Sequence, residues 1–594
     1  MEAILLEILD LLQVNEGLSE QVLEKVIHRH NQGRANPEQF AKKQLLPFYL
    51  RIKQFEPKHW ATWQVNTQLE ARLMQTLRIK PRRTASGVAT ITVITKPWIC
   101  SNDCLFCPND IRMPKSYLSA EPACQRAERN SFDPYLQVIS RLQTLIDMGH
   151  ATDKIELIVL GGTWSDYPLG YQVWFVKELF RALNESGEQS LAGESPSNLS
   201  QYQQDESLAA ELQQQVNQGL LSYNQAVELL YMQNPVYQSV ASSQTASFFE
   251  LIEQQQTNET ALHRVVGLTI ETRPDNIDPE QLYLLRRLGC TKIQIGIQSL
   301  DQAILNLNQR SITVQKINDA FCYLRLFGFK IHAHFMLNLL GSTPESDKQD
   351  YLGLVSDPAY LPDEVKLYPC ALVQSSRLVK HYQDGSWQPY SESELIDVLT
   401  TDVMNTPDYT RISRMVRDIA APDIVAGNKK TNLRQMVEND LVQSTEQPQE
   451  IRYREINRDQ TEIESLALDC IEYSTTATQE HFLQWVTSEK RIVGFLRLSL
   501  PKPEYLSEHQ AELPIQANEA MIREVHIYGV VARLNTSGEG AQHYGLGRRL
   551  IDIACDIAKA SGYQRINVIS SVGTREYYRN LGFYDKGLYQ QREL

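Results

Sequence analysis

Apolar positions over residues 1 to about 85 recur at helical spacing, with Leu5, Ile8, Leu9 and Leu12 on one stripe and few glycines between them, which predicts a small helical domain. From about residue 86 the period shortens. Runs rich in β-branched residues, "VATITVIT", "KIELIVLGG", "VVGLTIET", "KIQIGIQ", "FKIHAHFMLN" and "EVKLYP", alternate with helical stretches. That alternation predicts an α/β architecture, a parallel sheet buried on both faces by its crossover helices. About six strands are too few for a closed eight-stranded barrel. Residues 186–260 interrupt the pattern with 15 glutamines and read as an insertion, helical around residues 206 to 232 and otherwise mobile. A linker over 441–459 precedes a last domain, 460–594. There "RIVGFLRLSL", "MIREVHIYGVV" and "RINVISSV" read as strands, and a helix over about 545 to 560 lies between the last two.

Composition narrows the class. The chain of 594 residues suggests about three or four domains. No apolar run approaches the length needed to span a bilayer. The N-terminal "MEAILLEILDLLQV" carries Glu2, Glu7 and Asp10 and no basic leader, so it reads as an amphipathic helix, and nothing directs export. Six of nine cysteines are scattered (Cys124, Cys290, Cys322, Cys370, Cys470, Cys555), which suits reduced thiols in the cytoplasm. A net charge of −14 argues against coating nucleic acid non-specifically. One basic cluster stands out, Arg78, Lys80, Arg82, Arg83 and then Lys96; by itself it reads as a solvated face.

The remaining cysteines are close together. "KPWICSNDCLFCPND" spaces Cys100, Cys104 and Cys107 as C-x3-C-x2-C on a loop following the first strand, with no fourth cysteine or histidine nearby. Thiolates are soft ligands suited to iron–sulfur clusters and zinc, and a lone zinc ion would want a fourth ligand. Three thiolates on a [4Fe–4S] cluster leave one iron open. This arrangement resembles the radical S-adenosylmethionine (SAM) superfamily, which implies an incomplete (βα)6 barrel and SAM bound at the open iron as a source of the 5′-deoxyadenosyl radical.

Later strand ends carry further candidates. "LGGT" closes the second strand with Gly161 and Gly162 before Thr163, where backbone can approach a ligand, and the resemblance makes it the segment that meets the methionyl amino group of SAM. Glu271 in "TIETRPD" and Gln298 in "IGIQSLD" lie at carboxyl ends of strands, the face where parallel barrels build sites. His332, His334 and Lys366 are read as occupying similar places.

In the last domain "QHYGLGRRL" holds Gln542, Gly545 and Gly547, with Leu546 and Arg548, at a helix start, where backbone N–H groups and the helix dipole favour a pyrophosphate. With the strand "EVHIYGVV" before it and "GTREYYRNLGF" after, the order resembles the GNAT acetyltransferases, which implies acetyl-CoA. Tyr577 or Tyr578 would then lie near the thioester, and Glu524 and Val525 count among the acetyl-CoA-binding residues; Glu524 could also be a general base by position or could only support the sheet.

Across nearly the whole chain the sequence resembles the catalytic subunit family of Elongator, through "KPRRTASGVA", "GLTIETRPD", "TKIQIGIQS", "VKLYP", "RMVRDI", "NLRQM", "IREVHIYG" and "GTREYYRNLGF". The resemblance implies a tRNA-modifying acyltransferase that places a carboxymethyl group on C5 of the wobble uridine, with Lys366, Tyr577 and Tyr578 catalytic. It also turns the basic cluster into an RNA-binding strip. Around the cysteines the chain departs from the family at Asn109 and Asp110. Where relatives carry two zinc-site cysteines at the domain junction, this chain has Pro448 and Tyr453. No zinc is expected there, with packing holding the junction instead. Two other readings are an acyltransferase of proteins or amines with a structural cluster, and a non-catalytic RNA-binding relative. Oligomeric state is left open, a homo-oligomer included.

Overall fold

In a computed structural model the described residues are 1–80, 84, 86–186, 205–442, 446–456, 466–528 and 545–594, so Arg82, Arg83 and Gln542 lie outside them. Helices Glu2–Val14, Glu20–Asn31, Lys42–Phe55, Pro57–Thr62 and Thr67–Leu77 form an N-terminal unit. Its own core is built from Leu5, Ile8, Leu9, Leu12, Leu45, Tyr49 and Leu73. The stripe at helical spacing is what closes it.

Seven parallel strands follow: β1 (Ala89–Ile94), β2 (Lys154–Leu160), β3 (Arg264–Thr272), β4 (Lys292–Gln298), β5 (Lys330–Leu337), β6 (Glu364–Pro369) and a short β7 (Arg411–Arg414), hydrogen-bonded in that order. The sixth crossover therefore adds one strand to the six expected. Among the described residues the sheet does not close on itself, and β1 and β7 are its two edges. Along β2 buried and half-buried residues alternate. Those facing the helices join one large apolar core, whereas the lumen side mixes polar residues such as Thr90, Thr92, Glu156 and Gln294 with Ile158 and Leu160.

Over residues 205–260 the glutamine-rich stretch is more ordered than expected. Besides Glu206–Asn217 and Tyr223–Val227, it forms helices Pro235–Ser243 and Phe248–Asn258, so helix extends well past residue 232. Ser222 and Ser247 start two of these helices with capping boxes that include Gln225 and Glu250.

The C-terminal unit is a mixed sheet of β8 (Ala467–Ser474), β9 (Thr478–Val486), β10 (Ile492–Pro501), β11 (Glu519–Ile527), β12 (Arg565–Val568), β13 (Tyr584–Lys586) and β14 (Tyr589–Glu593), in the order β8-β9-β10-β11-β12-β14-β13. It docks where the barrel strands begin. Ser571 Oγ donates to Val265 O at 2.7 Å at the start of β3, and a Cβ on Gly573 would stand 2.6 Å from Arg264 Cβ, so only glycine fits that contact. The cysteine loop lies at the opposite end, where the strands finish.

Candidate active site

One continuous cavity of about 1980 Å³ runs from Cys100, Cys104 and Cys107, past Glu271 and Lys366 in the barrel lumen, to Glu524, Ser570 and Tyr578 of the C-terminal unit. Cys104 and Cys107 are buried, and Cys100 is half-buried. Arg273 Nη1 and Arg310 Nη1 each stand 3.4 Å from Cys104 Sγ. The hydrogen bond from Cys107 and these two guanidiniums hold the Cys104 thiol well below its ordinary range, against the opposing effect of burial. The three sulfurs do not all fall within 4.8 Å of one another, too wide for a single tetrahedral ion. Three soft donors, two balancing cations and open space before them fit a multinuclear cluster with a free coordination position.

The loop is held from the glutamine-rich segment. Asn224 Oδ1 accepts from Cys100 N at 2.9 Å and Asn224 Nδ2 donates to Cys100 O at 2.7 Å. Gln213 likewise accepts from Ile111 N at 2.9 Å and donates to Asn109 O at 3.0 Å, and Tyr223 Oη donates to Met113 O at 2.7 Å. The family departures are part of this scaffold: Asn109 binds Ser375 through its amide and backbone, and Asp110 accepts from Ser119 N at 3.0 Å. Asn224→Ala is expected to leave folding intact and to lower iron retained per chain, because Cys100 loses both backbone tethers. Iron and sulfide analysis after anaerobic reconstitution checks it, with Asn224→Asp, which keeps one acceptor, recovering part of the loss.

The glycines after β2 meet this loop. A Cβ on Gly161 would stand 1.9 Å from Thr95 Oγ1, so no larger residue fits there, and Gly162 has φ +60° beside Lys115, a backbone conformation that favours glycine. Thr163 Oγ1 is 3.7 Å from Cys100 Sγ. Glu271, one residue before the end of β3, accepts from Tyr117 Oη at 2.5 Å and lies 3.5 Å from His334 Nδ1. Gln298 ends β4 with φ +73° and lines the cavity.

His332, His334 and Lys366 are not at the carboxyl ends as expected. They lie in the lumen near the middle of β5 and β6, with His332 paired to Glu364 and His334 to Lys366 in register. A count along the run puts the strand ends too early, because β5 continues to Leu337 and β6 to Pro369. Lys366 Nζ donates to Gln294 Oε1 at 2.7 Å, and His334 Nε2 stands 3.2 Å from the same oxygen. Burial lowers the Lys366 amine to about 7 and keeps both imidazoles well below their usual range.

Below them the lumen is girdled by alternating charge. Glu156 and Lys292 are 2.7 Å apart, Lys292 and Glu364 3.6 Å, and Glu364 and Lys330 2.8 Å; Lys330 then meets Glu524 on β11. Glu524 also accepts from Arg497 Nε at 3.0 Å. Burial pushes the Glu524 carboxyl up, but the Lys330 and Arg497 charges outweigh it and hold it below its ordinary value. A carboxylate engaged by two cations is a poor proton acceptor, so the general-base alternative for Glu524 gives way to a role in domain docking.

The C-terminal unit opens a cleft onto the same cavity. β11 and β12 pair in parallel only from Glu519–Ile522 to Arg565–Val568, after which they separate. Val525 and His526 on one side and Ile569 and Ser570 on the other line the gap. The helix Leu546–Ala560 starts beside it, capped by Gly545 at φ +69°, and Leu546 is buried in the core beneath. A Cβ on Gly547 would be 3.2 Å from Tyr577 Oη, so the glycine loop and Tyr577 adjoin. Tyr577 is 40% exposed, whereas Tyr578 is buried against Phe583 and lines the cavity. Arg548 projects outward, 3.9 Å from Asp552.

The basic strip is corrected at one position. Lys96 is buried, its Nζ donating to Gln244 Oε1 at 2.6 Å among Trp98, Tyr171 and Tyr237, where no phosphate reaches it. Arg78 Nε donates to Gly149 O at 2.9 Å, and Lys80 is exposed. Charge spacing along a sequence carries no information about burial. Cavity-lining Arg126, Arg141, Arg414, Arg417 and Arg452 escaped sequence reasoning because they are scattered along the chain. At the junction, Glu450 accepts from Ile412 N at 3.0 Å and Arg411 pairs with Glu455 at 2.6 Å, so polar contacts join packing there.

Comparison with known proteins agrees with this geometry. Family models for the radical SAM superfamily and its C-terminal domain match residues 239–351 and 362–443. A tRNA uridine(34) acetyltransferase of Methanocaldococcus infernus is 31% identical over 98% of this chain and 100% of its own. The chain belongs to this acetyltransferase family. The Dehalococcoides mccartyi tRNA uridine(34) acetyltransferase is 33% identical over 85% of this chain and 97% of its own, and human Elongator complex protein 3 is 29% identical over 89% and 88%. Among solved structures, the archaeal M. infernus Elp3 lacking its first 46 residues superposes with a TM-score of 0.65 at 30% identity, covering 86% of this chain and all of that one. As a member of the tRNA uridine(34) acetyltransferase family, the chain joins a half-barrel of radical SAM type to a mixed C-terminal sheet.

Proposed function

We propose that this chain is a radical SAM-dependent tRNA uridine(34) acetyltransferase that places a carboxymethyl group, taken from acetyl-CoA, on C5 of the wobble uridine. The observation that carries the reading is the single cavity joining the three thiols to the cleft between β11 and β12. When bound, a [4Fe–4S] cluster held by Cys100, Cys104 and Cys107 supplies SAM cleavage at its open iron. Gly161, Gly162 and Thr163 border SAM, with Glu271 and Gln298 at the neighbouring strand ends. Val525, Gly545, Leu546, Gly547, Arg548 and, outside the described residues, Gln542 hold acetyl-CoA, with Tyr577 and Tyr578 near its thioester. Lys366, poised near neutral pH in the lumen, is placed to exchange a proton with the reacting base.

A splayed-out anticodon nucleotide is the form in which single-stranded bases are read and modified. Arg126, Arg141 and Arg452 at the cavity wall, with Lys80 on the exposed side, supply the positive surface its phosphates need despite the overall charge of −14. The alternative of a purely structural cluster is disfavoured because the thiols open onto the same cavity as the cleft. Anaerobic incubation with SAM, reductant, acetyl-CoA and tRNA is expected to yield 5-carboxymethyluridine by nucleoside mass spectrometry. Release of 5′-deoxyadenosine with unmodified uridine would overturn the substrate assignment.

A further inference from the structure

The edge strand of the C-terminal sheet carries an arrangement that the tRNA reaction does not use. Cys470 and Glu472 lie two residues apart on β8 and so share a face, and Glu472 is the direct cross-strand partner of His481 on β9. His481 Nδ1 stands 3.8 Å from Cys470 Sγ and 3.6 Å from Glu472 Oε1, and the three ligand atoms all lie within 4.8 Å of one another. Among the described residues no other cysteine, histidine or carboxylate trio meets that distance. Zinc bonds of about 2.3 Å to sulfur and about 2.0–2.2 Å to nitrogen and oxygen, at tetrahedral angles, put ligand atoms roughly 3.4–3.6 Å apart. The two His481 separations exceed this by at most a few tenths of an ångström and the third is within 4.8 Å, so side-chain movement alone would seat the ion.

We propose that Cys470, Glu472 and His481 form a zinc site that clamps β8 to β9. Thiolate, imidazole and carboxylate are a donor set for zinc rather than for magnesium or calcium, which take oxygen alone. The fourth position faces solvent, because β8 is exposed along this face. Cys470 is the one exposed cysteine of the nine, on a strand that among the described residues has no partner on its outer side. A single hydrogen-bonded neighbour, β9, holds such a strand on one flank, and an edge of this kind gains most from a cross-link. The site lies outside the cavity and uses none of its residues. It is also distinct from the junction, where Pro448 and Tyr453 offer no thiolate.

The test uses the full chain with its iron–sulfur cluster in place, titrated with Co²⁺ and then Zn²⁺. Expected are one equivalent of Co²⁺ showing thiolate-to-metal charge transfer and tetrahedral ligand-field bands, their displacement by Zn²⁺, and loss of both bands in Cys470→Ser and in His481→Ala. Zinc is also expected to raise the melting temperature of the wild type and not that of Cys470→Ser, whose exposed position makes misfolding a minor concern and whose near-ultraviolet dichroism confirms the fold. Unchanged cobalt stoichiometry and charge transfer in Cys470→Ser, or no thiolate band in the wild type, would overturn the site.

Discussion

Replacing Cys104 with alanine is expected to reduce 5-carboxymethyluridine formation by at least about 10⁴-fold, the scale on which a member of a catalytic unit is lost. Iron and sulfide per chain should fall with it, and 5′-deoxyadenosine should no longer be released. Of the three thiols, Cys104 is chosen because it is 3% exposed and faces two guanidiniums at 3.4 Å. Without its sulfur, Arg273 and Arg310 are left close together without the anion they converge on. Acetyl-CoA and tRNA binding should persist, since the splayed strands and the cavity-wall arginines are untouched. Cys322→Ala, on a helix outside the barrel lumen, is the control and should remain active. Modification at the wild-type rate in Cys104→Ala would remove the cluster from the mechanism.

Arg523→Ala is expected to destabilise the docked state of barrel and C-terminal sheet by about 3–5 kcal/mol, the scale for breaking a buried ion network from one side. Arg523 and Asp363 are fully buried; the arginine donates to both Asp363 oxygens, at 2.6 and 2.8 Å, and to Glu480 at 2.7 Å. The network goes on through Arg497, 3.3 Å from Asp363, to Glu524 and the lumen girdle. A register shift between Arg497 and Leu498, opposite Glu524 and Ile522, inserts Arg523 as an extra residue and turns it toward the barrel.

The pH dependence follows from Asp363. Burial raises its carboxyl, but Arg523 and Arg497 prevail and hold it well below the ordinary aspartate range. Its folded value is depressed, so its stabilisation is present above about pH 3.9 and is lost as pH falls toward the folded value. Thermal denaturation of wild type and Arg523→Ala should therefore differ by a constant interval at neutral pH and converge only in acid. Arg523→Lys, which cannot bridge Asp363 and Glu480 together, should fall between them. Equal melting temperatures at pH 7 would show that the network contributes nothing net to docking.

Legibility in the sequence followed the distance between the residues concerned. Cys100, Cys104 and Cys107, the glycines after β2 and the glycine helix start could be read because their geometry is set within a few residues. The supports of that loop could not. Asn224 is 124 positions from Cys100, and Arg310 is 206 positions from Cys104. Lys96 was misread because a charge pattern does not say which lysine is enclosed by aromatic rings. Glu524 looked like a base because its strand position is visible in sequence and its partner Lys330, 194 residues away, is not.

The sequence by itself determined most of the elements, since apolar period distinguishes helix from strand, and the candidate cluster ligands, since their spacing confines three sulfurs to one loop. It also determined the family, through motifs spread along the chain. Only the tertiary structure decided that the second sheet docks where the barrel strands begin, so that the lumen becomes the passage between two chemistries. That choice rests on Asp363 and Lys330 meeting Arg523 and Glu524 away from water, where charge pairing depends on which groups are brought within a few ångströms. Such proximity is a property of the assembled sheets and has no signature in local sequence.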